Sequence, residues 1–161
     1  MTAGSEASKG AIGVAIRRLA MTDVPAVLAI LQASPEAAAW SQESLLQFAS
    51  VEPAAWVADL DGVPAGFLIG RIAADESEIL NMAVAHAHRR SGIGSKLLES
   101  ALEFSRVAGS ARAYLEVRAS NGPAIALYSR HGFTACGRRA GYYRDPVDDA
   151  LLLSLYWGET R

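Results

Sequence analysis

The sequence predicts an α/β fold, and three observations carry that prediction. The first is order. Strand-type and helix-type apolar patterns follow one another as strand, helix, helix, three strands, helix, strand, helix and two strands. The second is a crossover. The short apolar run Glu78-Ile79-Leu80-Asn81-Met82-Ala83-Val84 reads as a buried strand, a helical pattern starts at Ile93, and a further strand runs from Ala113 to Val117. A strand–helix–strand unit makes part of the sheet parallel. The third is size. At 161 residues, 51% hydrophobic and 20% charged, the chain has the length of one domain with a real core.

Each element has its own signal. Residues 1–10 are small and polar and read as a disordered tail before a single domain over 11–161. Val14 to Leu19 reads as the first strand. Thr22 or Asp23 can cap a helix with Pro25 in its first turn, striped by Val24, Val27, Leu28, Ile30 and Leu31. Ser34-Pro35 stops it. Ser41 with Ser44 starts a second helix reaching Phe48. Ala55 to Leu60, the turn Asp61-Gly62 and Pro64 to Gly70 read as a hairpin. After the buried strand 78–84 comes the helix to about Val107, ended by Ala108-Gly109. Asn121 opens a helix that ends at His131-Gly132. Phe133 to Tyr143 and Ala150 to Trp157 close the chain as two strands around residues 144–149.

Several function classes lose support at once. A net charge of −2 gives no global signal for nucleic acid or an anionic membrane. A single cysteine, Cys136, excludes an internal disulfide and fits a reducing compartment, and its strand pattern reads as core rather than nucleophile. No apolar run approaches the ~18 residues of a membrane span, and no secretory leader is visible, so a cytoplasmic location is expected. His86 and His88 have no further ligands at metal-binding spacing, so no metal site is expected.

The chemistry concentrates in His88-Arg89-Arg90-Ser91-Gly92-Ile93-Gly94-Ser95-Lys96. A helix start offers unpaired N–H groups and partial positive charge, and Arg89 and Arg90 make it a seat for a phosphate or pyrophosphate. A P-loop fails here, because no glycine stands five positions before Gly94. A dinucleotide fingerprint fails too, because Leu97 occupies the third glycine's place. What remains is Arg-x-x-Gly-x-Gly, filled by Arg89, Gly92 and Gly94. Downstream, Tyr114-Leu115-Glu116-Val117-Arg118-Ala119-Ser120-Asn121 precedes Ala124 to Tyr128 and His131-Gly132-Phe133.

With these blocks in one register, from about Val14 to Leu155, the chain resembles the GCN5-related N-acetyltransferase (GNAT) family. Within it the chain looks like the RimI-type enzymes, which acetylate the N-terminal amine of ribosomal proteins. The resemblance implies the GNAT fold: a mixed, mostly antiparallel sheet of about seven strands, its strands 78–84 and 113–117 forming a parallel, splayed pair, flanked by about four helices. It implies acetyl-CoA as cosubstrate. The pyrophosphate falls to the backbone around Arg90, Gly92, Ile93, Gly94 and Ser95 with Arg89 as charge partner, and the thioester carbonyl to the backbone of Met82, Ala83 and Val84.

For proton transfer, alternation puts Glu116 and Arg118 on one strand face and Leu115 and Val117 on the other. A carboxylate there is costly to bury unless used or paired. Pairing with Arg118 or Arg112 would explain Glu116 structurally; the family match makes it the base. The demand is mild, since an α-amine has a pKa of about 8. Asn121 and Tyr128, seven apart, share a helical face. In the family pattern Asn121 reaches the pantetheine arm and Tyr128 gives the leaving sulfur its proton. Phe133 reads as core. The acceptor groove is assigned to Trp40, Glu78, Asn81, Tyr142 and Tyr143, with three structural alternatives: Trp40 as a loop anchor, Glu78 paired with Arg71, and Tyr142 and Tyr143 as packing and strand residues. Arg138-Arg139-Ala140-Gly141-Tyr142-Tyr143 resembles the family's Arg-Arg-Asn-Tyr-Tyr with one residue more, which shifts the loop's register. The expected activity is direct acetylation of a protein N-terminal amine, the N-terminal alanine of a ribosomal protein; the alternative keeps the chemistry and takes a lysine side chain or a small-molecule amine as acceptor. A non-catalytic acyl-CoA-binding module is the reading from another class.

Overall fold

A computed structural model describes residues 13–51 and 54–158; the expected tail, residues 1–10, lies outside them. The strands are β1 (Val14–Arg18), β2 (Ala55–Leu60), β3 (Val63–Ala73), β4 (Glu76–Val84), β5 (Arg112–Arg118), β6 (Thr134–Arg144) and β7 (Val147–Tyr156). The helices are α1 (Val24–Gln32), α2 (Gln42–Val51), α3 (Ile93–Val107) and α4 (Gly122–Arg130). All seven strands form one sheet in the order β1-β2-β3-β4-β5-β7-β6. Only the β4–β5 pair is parallel.

Strand alternation sorts the apolar residues into two cores on opposite faces. Trp56, Ala58 and Leu68 meet Leu97 and Leu98 of α3 on one face, together with Leu115 and Leu153. Val57, Phe67 and Ile69 meet Val27 and Leu31 of α1 and Leu45 of α2 on the other. This explains why β2 and β3 read as nearly continuous apolar runs: both faces are covered. Among the described residues, the second core takes nothing from β5, β6 or β7. The C-terminal half of the sheet is therefore packed by helices on one face only, and its other face carries Tyr114, Glu116 and Arg118.

The feature that shapes the site is a gap in the sheet. Glu76 to Ile79 pair with Arg112 to Leu115, and there the parallel ladder stops. Beyond it β4 stays with β3 through Val84, while Glu116 to Arg118 stay with β7. The divergence has a local cause. Ile69 pairs with Asn81 and Gly70 with Ile79, so Leu80 is an extra residue on β4. A bulge of this kind bends its strand and ends pairing.

Two local readings are corrected. Neither Thr22 nor Asp23 caps α1 with its side chain; a 3₁₀ turn, Met21–Asp23, precedes the helix. The Asp23 carboxylate turns back to accept from Ala20 N at 2.8 Å and from both Arg17 Nη atoms at 2.7 and 2.8 Å, since a bidentate guanidinium outcompetes a single amide. Cys136 is exposed rather than core. It lies on edge strand β6 at a register shift between Ala135 and Gly137, which leaves it without a place in either packed layer.

Candidate active site

Where β4 leaves β5, backbone groups lose a neighbour. Ala85 N donates to Ala65 O at 2.7 Å, so by antiparallel alternation the amides of Asn81 and Ala83 point toward β3 and those of Met82 and Val84 toward the gap. Met82 and Val84 pack partly against the α3 core, and Ala83 lies in the α1–α2 core. The three expected carbonyl-binding residues thus divide: two amides face the opening and one does not.

The basic loop follows. Arg90 and Gly92 adopt positive φ angles of 61° and 83°, which turns the chain sharply into α3. The amides of Ile93, Gly94 and Ser95 form its first turn and have no partner within the helix. The Ile93 side chain is buried in the core, so only its backbone faces the loop. A Cβ on Gly94 would stand 3.2 Å from Leu127 Cδ2; its absence lets α3 and α4 converge. Ser95 Oγ lies 3.2 Å from His131 Nε2, tying the same two helices together. Arg89 departs from expectation. Its Nε donates to Val84 O at 3.1 Å, and its Nη2 meets Glu36 Oε1 at 2.6 Å and Ser34 Oγ at 3.2 Å. The guanidinium faces the α1–α2 connection, while Arg90 is exposed with no ion pair among the described residues.

On α4, the Asn121 side chain accepts from Ala124 N at 3.3 Å as an N-cap. Tyr128, two turns on, is buried and packs edge-to-face with Phe133 at 5.8 Å. Burial pushes its phenol far above the usual tyrosine range, with a smaller push from Tyr143.

Across the sheet, on the face free of helices, lies a polar cluster. Glu116 Oε1 accepts from Arg139 Nε of β6 at 3.0 Å, not from Arg118 or Arg112. Arg118 stacks over the Tyr143 ring at 4.3 Å and donates to Pro146 O, while Arg112 pairs with Glu76 at 3.1 Å. Tyr142 and Tyr143 meet edge-to-face at 5.1 Å. The Glu116 carboxylate is the main cause that raises the Tyr142 phenol; desolvation, then Glu116, raises that of Tyr143. The acceptor candidates on β4 are both engaged elsewhere. Glu78 pairs with Arg71 at 2.7 Å and accepts from the Tyr114 hydroxyl at 3.2 Å. Asn81 is buried and donates to Ala38 O at 3.0 Å, holding the α1–α2 connection against the sheet. Trp40, on that connection, stacks on Phe48 at 4.7 Å.

Residues 19–133 match the model of the acetyltransferase (GNAT) family. The chain belongs to the GNAT family. Its relatives include the [ribosomal protein bS18]-alanine N-acetyltransferase of Escherichia coli K12, 34% identical over 87% of this chain and 95% of that protein. The N-alpha-acetyltransferase of Sulfurisphaera tokodaii is 32% identical over 92% of this chain and 96% of its own. The crystal structure of the E. coli ribosomal-protein-S18-alanine N-acetyltransferase superposes with a TM-score of 0.81 at 33% identity, covering 92% of this chain and 96% of that one. The family takes its acetyl group from acetyl-CoA, and this chain is an acetyl-CoA-dependent N-acetyltransferase.

The acetyltransferase presents chemically different groups on the two faces of its gap. Among the described residues, the amides of Ile93, Gly94 and Ser95 have no hydrogen-bond partner, and those of Met82 and Val84 face the gap. Glu116, with Arg139, Tyr142 and Tyr143 around it, lies on the other face. Arg139 was not singled out from sequence as a partner of Glu116. It lies 23 positions away, and only the register of two strands beyond β5 brings it there. Asp149 and Glu36 were not singled out either, since each enters through a hydrogen bond with no sequence periodicity.

Proposed function

We propose that this acetyltransferase modifies the N-terminal α-amine of a protein by direct transfer, the N-terminal alanine of a ribosomal protein being the acceptor, within the cytoplasm. The carrying observation is the gap between β4 and β5, with Glu116 on the helix-free face of β5 and Tyr128 packed with Leu115, Val117 and Phe133 on the other. The names of the E. coli and Sulfurisphaera relatives supply the acceptor class.

In this reading the α3 turn, with Arg90 nearby, holds the pyrophosphate, and Asn121 orients the pantetheine arm. Acetyl-CoA bound there supplies the thioester acetyl group. The Met82 and Val84 amides donate to its carbonyl oxygen as negative charge develops. The acceptor's ammonium displaces Arg139 from Glu116, and the carboxylate takes a proton from it. Trp40, Tyr142 and Tyr143 wall the acceptor side. The amine nitrogen forms the new C–N bond, the C–S bond breaks, Tyr128 delivers a proton to the departing sulfur, and the second proton shed by the nitrogen restores that of Tyr128, while Glu116 returns its own to solvent.

The test is released thiol measured with peptides bearing free N-termini, an alanine-initiated ribosomal sequence among them, against N-blocked lysine peptides and polyamines. Turnover is expected on free N-termini. Glu116→Gln should lower kcat by about 10² to 10³ with the Kd for acetyl-CoA within about twofold of wild type. Turnover confined to lysines or polyamines would overturn the acceptor, and an unchanged kcat in Glu116→Gln would overturn the base.

A further inference from the structure

Consecutive residues of a regular strand face opposite sides of a sheet. Tyr142 and Tyr143 do not behave that way: the Tyr142 ring lies 5.8 Å from the Arg139 guanidinium that donates to Glu116, and the Tyr143 ring lies 4.3 Å from Arg118, which shares the Glu116 face of β5. The cause is a bulge in β6. Arg139 pairs with Ala150 and Tyr143 with Asp148, so Ala140, Gly141 and Tyr142 all stand opposite Asp149 alone. Gly141 takes φ 59° to make the detour, a left-handed conformation natural to glycine.

Asp149 fastens this bulge from the partner strand. Its Oδ1 accepts from the Gly141 amide at 2.8 Å, an N–H that the interrupted ladder would otherwise leave without a strand partner. Its Oδ2 accepts from Arg138 Nε and Nη2, both at 2.7 Å. Its own backbone is fixed too: Asp149 N donates to Asp148 Oδ1 at 2.8 Å, and Asp149 O accepts from Ala119 N at 2.9 Å. One side chain thus grips the bulge both at its apex and at the residue before Arg139. The Gly141 amide, then Arg138, holds this carboxyl below the usual carboxylate range, so it is ionised wherever the enzyme is assayed.

We propose that Asp149 is a positioning residue for the acceptor: by fixing the β6 bulge it sets Tyr142 beside Glu116 and gives the acceptor side its shape. This rests on the reading of Glu116, Tyr142 and Tyr143 as the acceptor site. Asp149 touches neither substrate; it acts through Tyr142.

The test is steady-state kinetics on the full chain with an alanine-initiated peptide and acetyl-CoA. Asp149→Ala should raise the peptide KM about tenfold, as expected for loss of a charge-assisted hydrogen bond, while the KM for acetyl-CoA stays within about twofold. Asp149→Asn keeps an oxygen for the Gly141 amide and should restore the peptide KM to within about threefold of wild type. Tyr142→Phe should itself raise the peptide KM. Adding Asp149→Ala to it should raise that KM no further, the non-additivity expected of residues acting through one contact. If Asp149→Ala fails to fold, Asp149→Ser, which also cannot span to Gly141 N, takes its place with the same expectations. Equal losses for both substrates, full additivity, or an unchanged peptide KM would each overturn the proposal. A wild-type enzyme inert toward every free N-terminus would instead overturn the acceptor reading. Wild-type turnover with a Tyr142→Phe effect but no Asp149 effect would remove the Asp149 role alone.

Discussion

Glu116 has a strand position that alternation alone could assign: Leu115 and Val117 go to the core, so the carboxylate goes to the other face. Its surroundings were not legible. Sequence pairs it with arginines two or four positions away, whereas the structure gives it Arg139 across β7, through an ion pair whose side chains are 24% and 55% exposed. Such an exposed pair is weak, so an ammonium can replace the guanidinium at little cost. Tyr128 is the opposite case, with a buried phenol whose pKa is raised. A raised acid pKa keeps the proton on to higher pH, so the donor form persists across the working range. We therefore expect kcat to show no basic limb from Tyr128 below about pH 10, measured at saturating substrates from pH 6 upward. A limb in that window that vanishes in Tyr128→Phe would show that burial does not raise this phenol.

At the scale of elements, the start of α3 was the most readable part of the chain, because glycines at that place have few other uses. Gly92, at φ 83° with open space around its Cα, is needed for conformation, not for room. Gly92→Ala should therefore cost about 1 kcal/mol of stability and loosen the first-turn amides, raising the Kd for acetyl-CoA. Denaturation midpoints and calorimetric titration would check both, and an unaltered Kd would separate this turn from the cosubstrate. Edge strand β6 was the least readable element. Its apolar alternation is absent; of its two register shifts only the one at Ala140-Gly141 shows in the sequence, as the extra residue before the tyrosines, and the inferred burial of Cys136 failed because the other leaves no such trace.

The molecule as a whole divides between strands packed on both faces and strands packed on one. The apolar runs of β2 and β3 announce the first kind. The gap between β4 and β5 does not announce itself, since hydrogen-bond register is a property of backbones and the Leu80 bulge is invisible among apolar neighbours. Stability at the N-terminal end leans on Asp23, whose side chain is 7% exposed against 37% for Arg17. The Arg17 hydrogen bonds are the main cause holding its carboxyl below the ordinary range. A depressed folded-state pKa stabilises above the unfolded value, and that contribution is lost as pH falls through the folded one. Asp23→Asn should thus cost about 1–2 kcal/mol at neutral pH. Its denaturation midpoint should approach that of wild type below about pH 4; a constant difference down to pH 2 would refute this.

The parallel contact has a consequence for how the protein comes into being. β2, β3 and β4 are joined as neighbouring hairpins, and β6 and β7 as another, so these five strands can pair with segments close in the chain. The β4–β5 pair joins Glu76 to Arg112 across all of α3, and the β1–β2 and β5–β7 pairs reach further still, from Val14 to Leu60 and from Arg112 to Tyr156. Contacts of long sequence separation close late, because the loop entropy must be overcome first. The groups proposed for catalysis lie on both sides of that seam. Activity is then expected to be the last property a newly made chain acquires, appearing only when both halves are complete and joined.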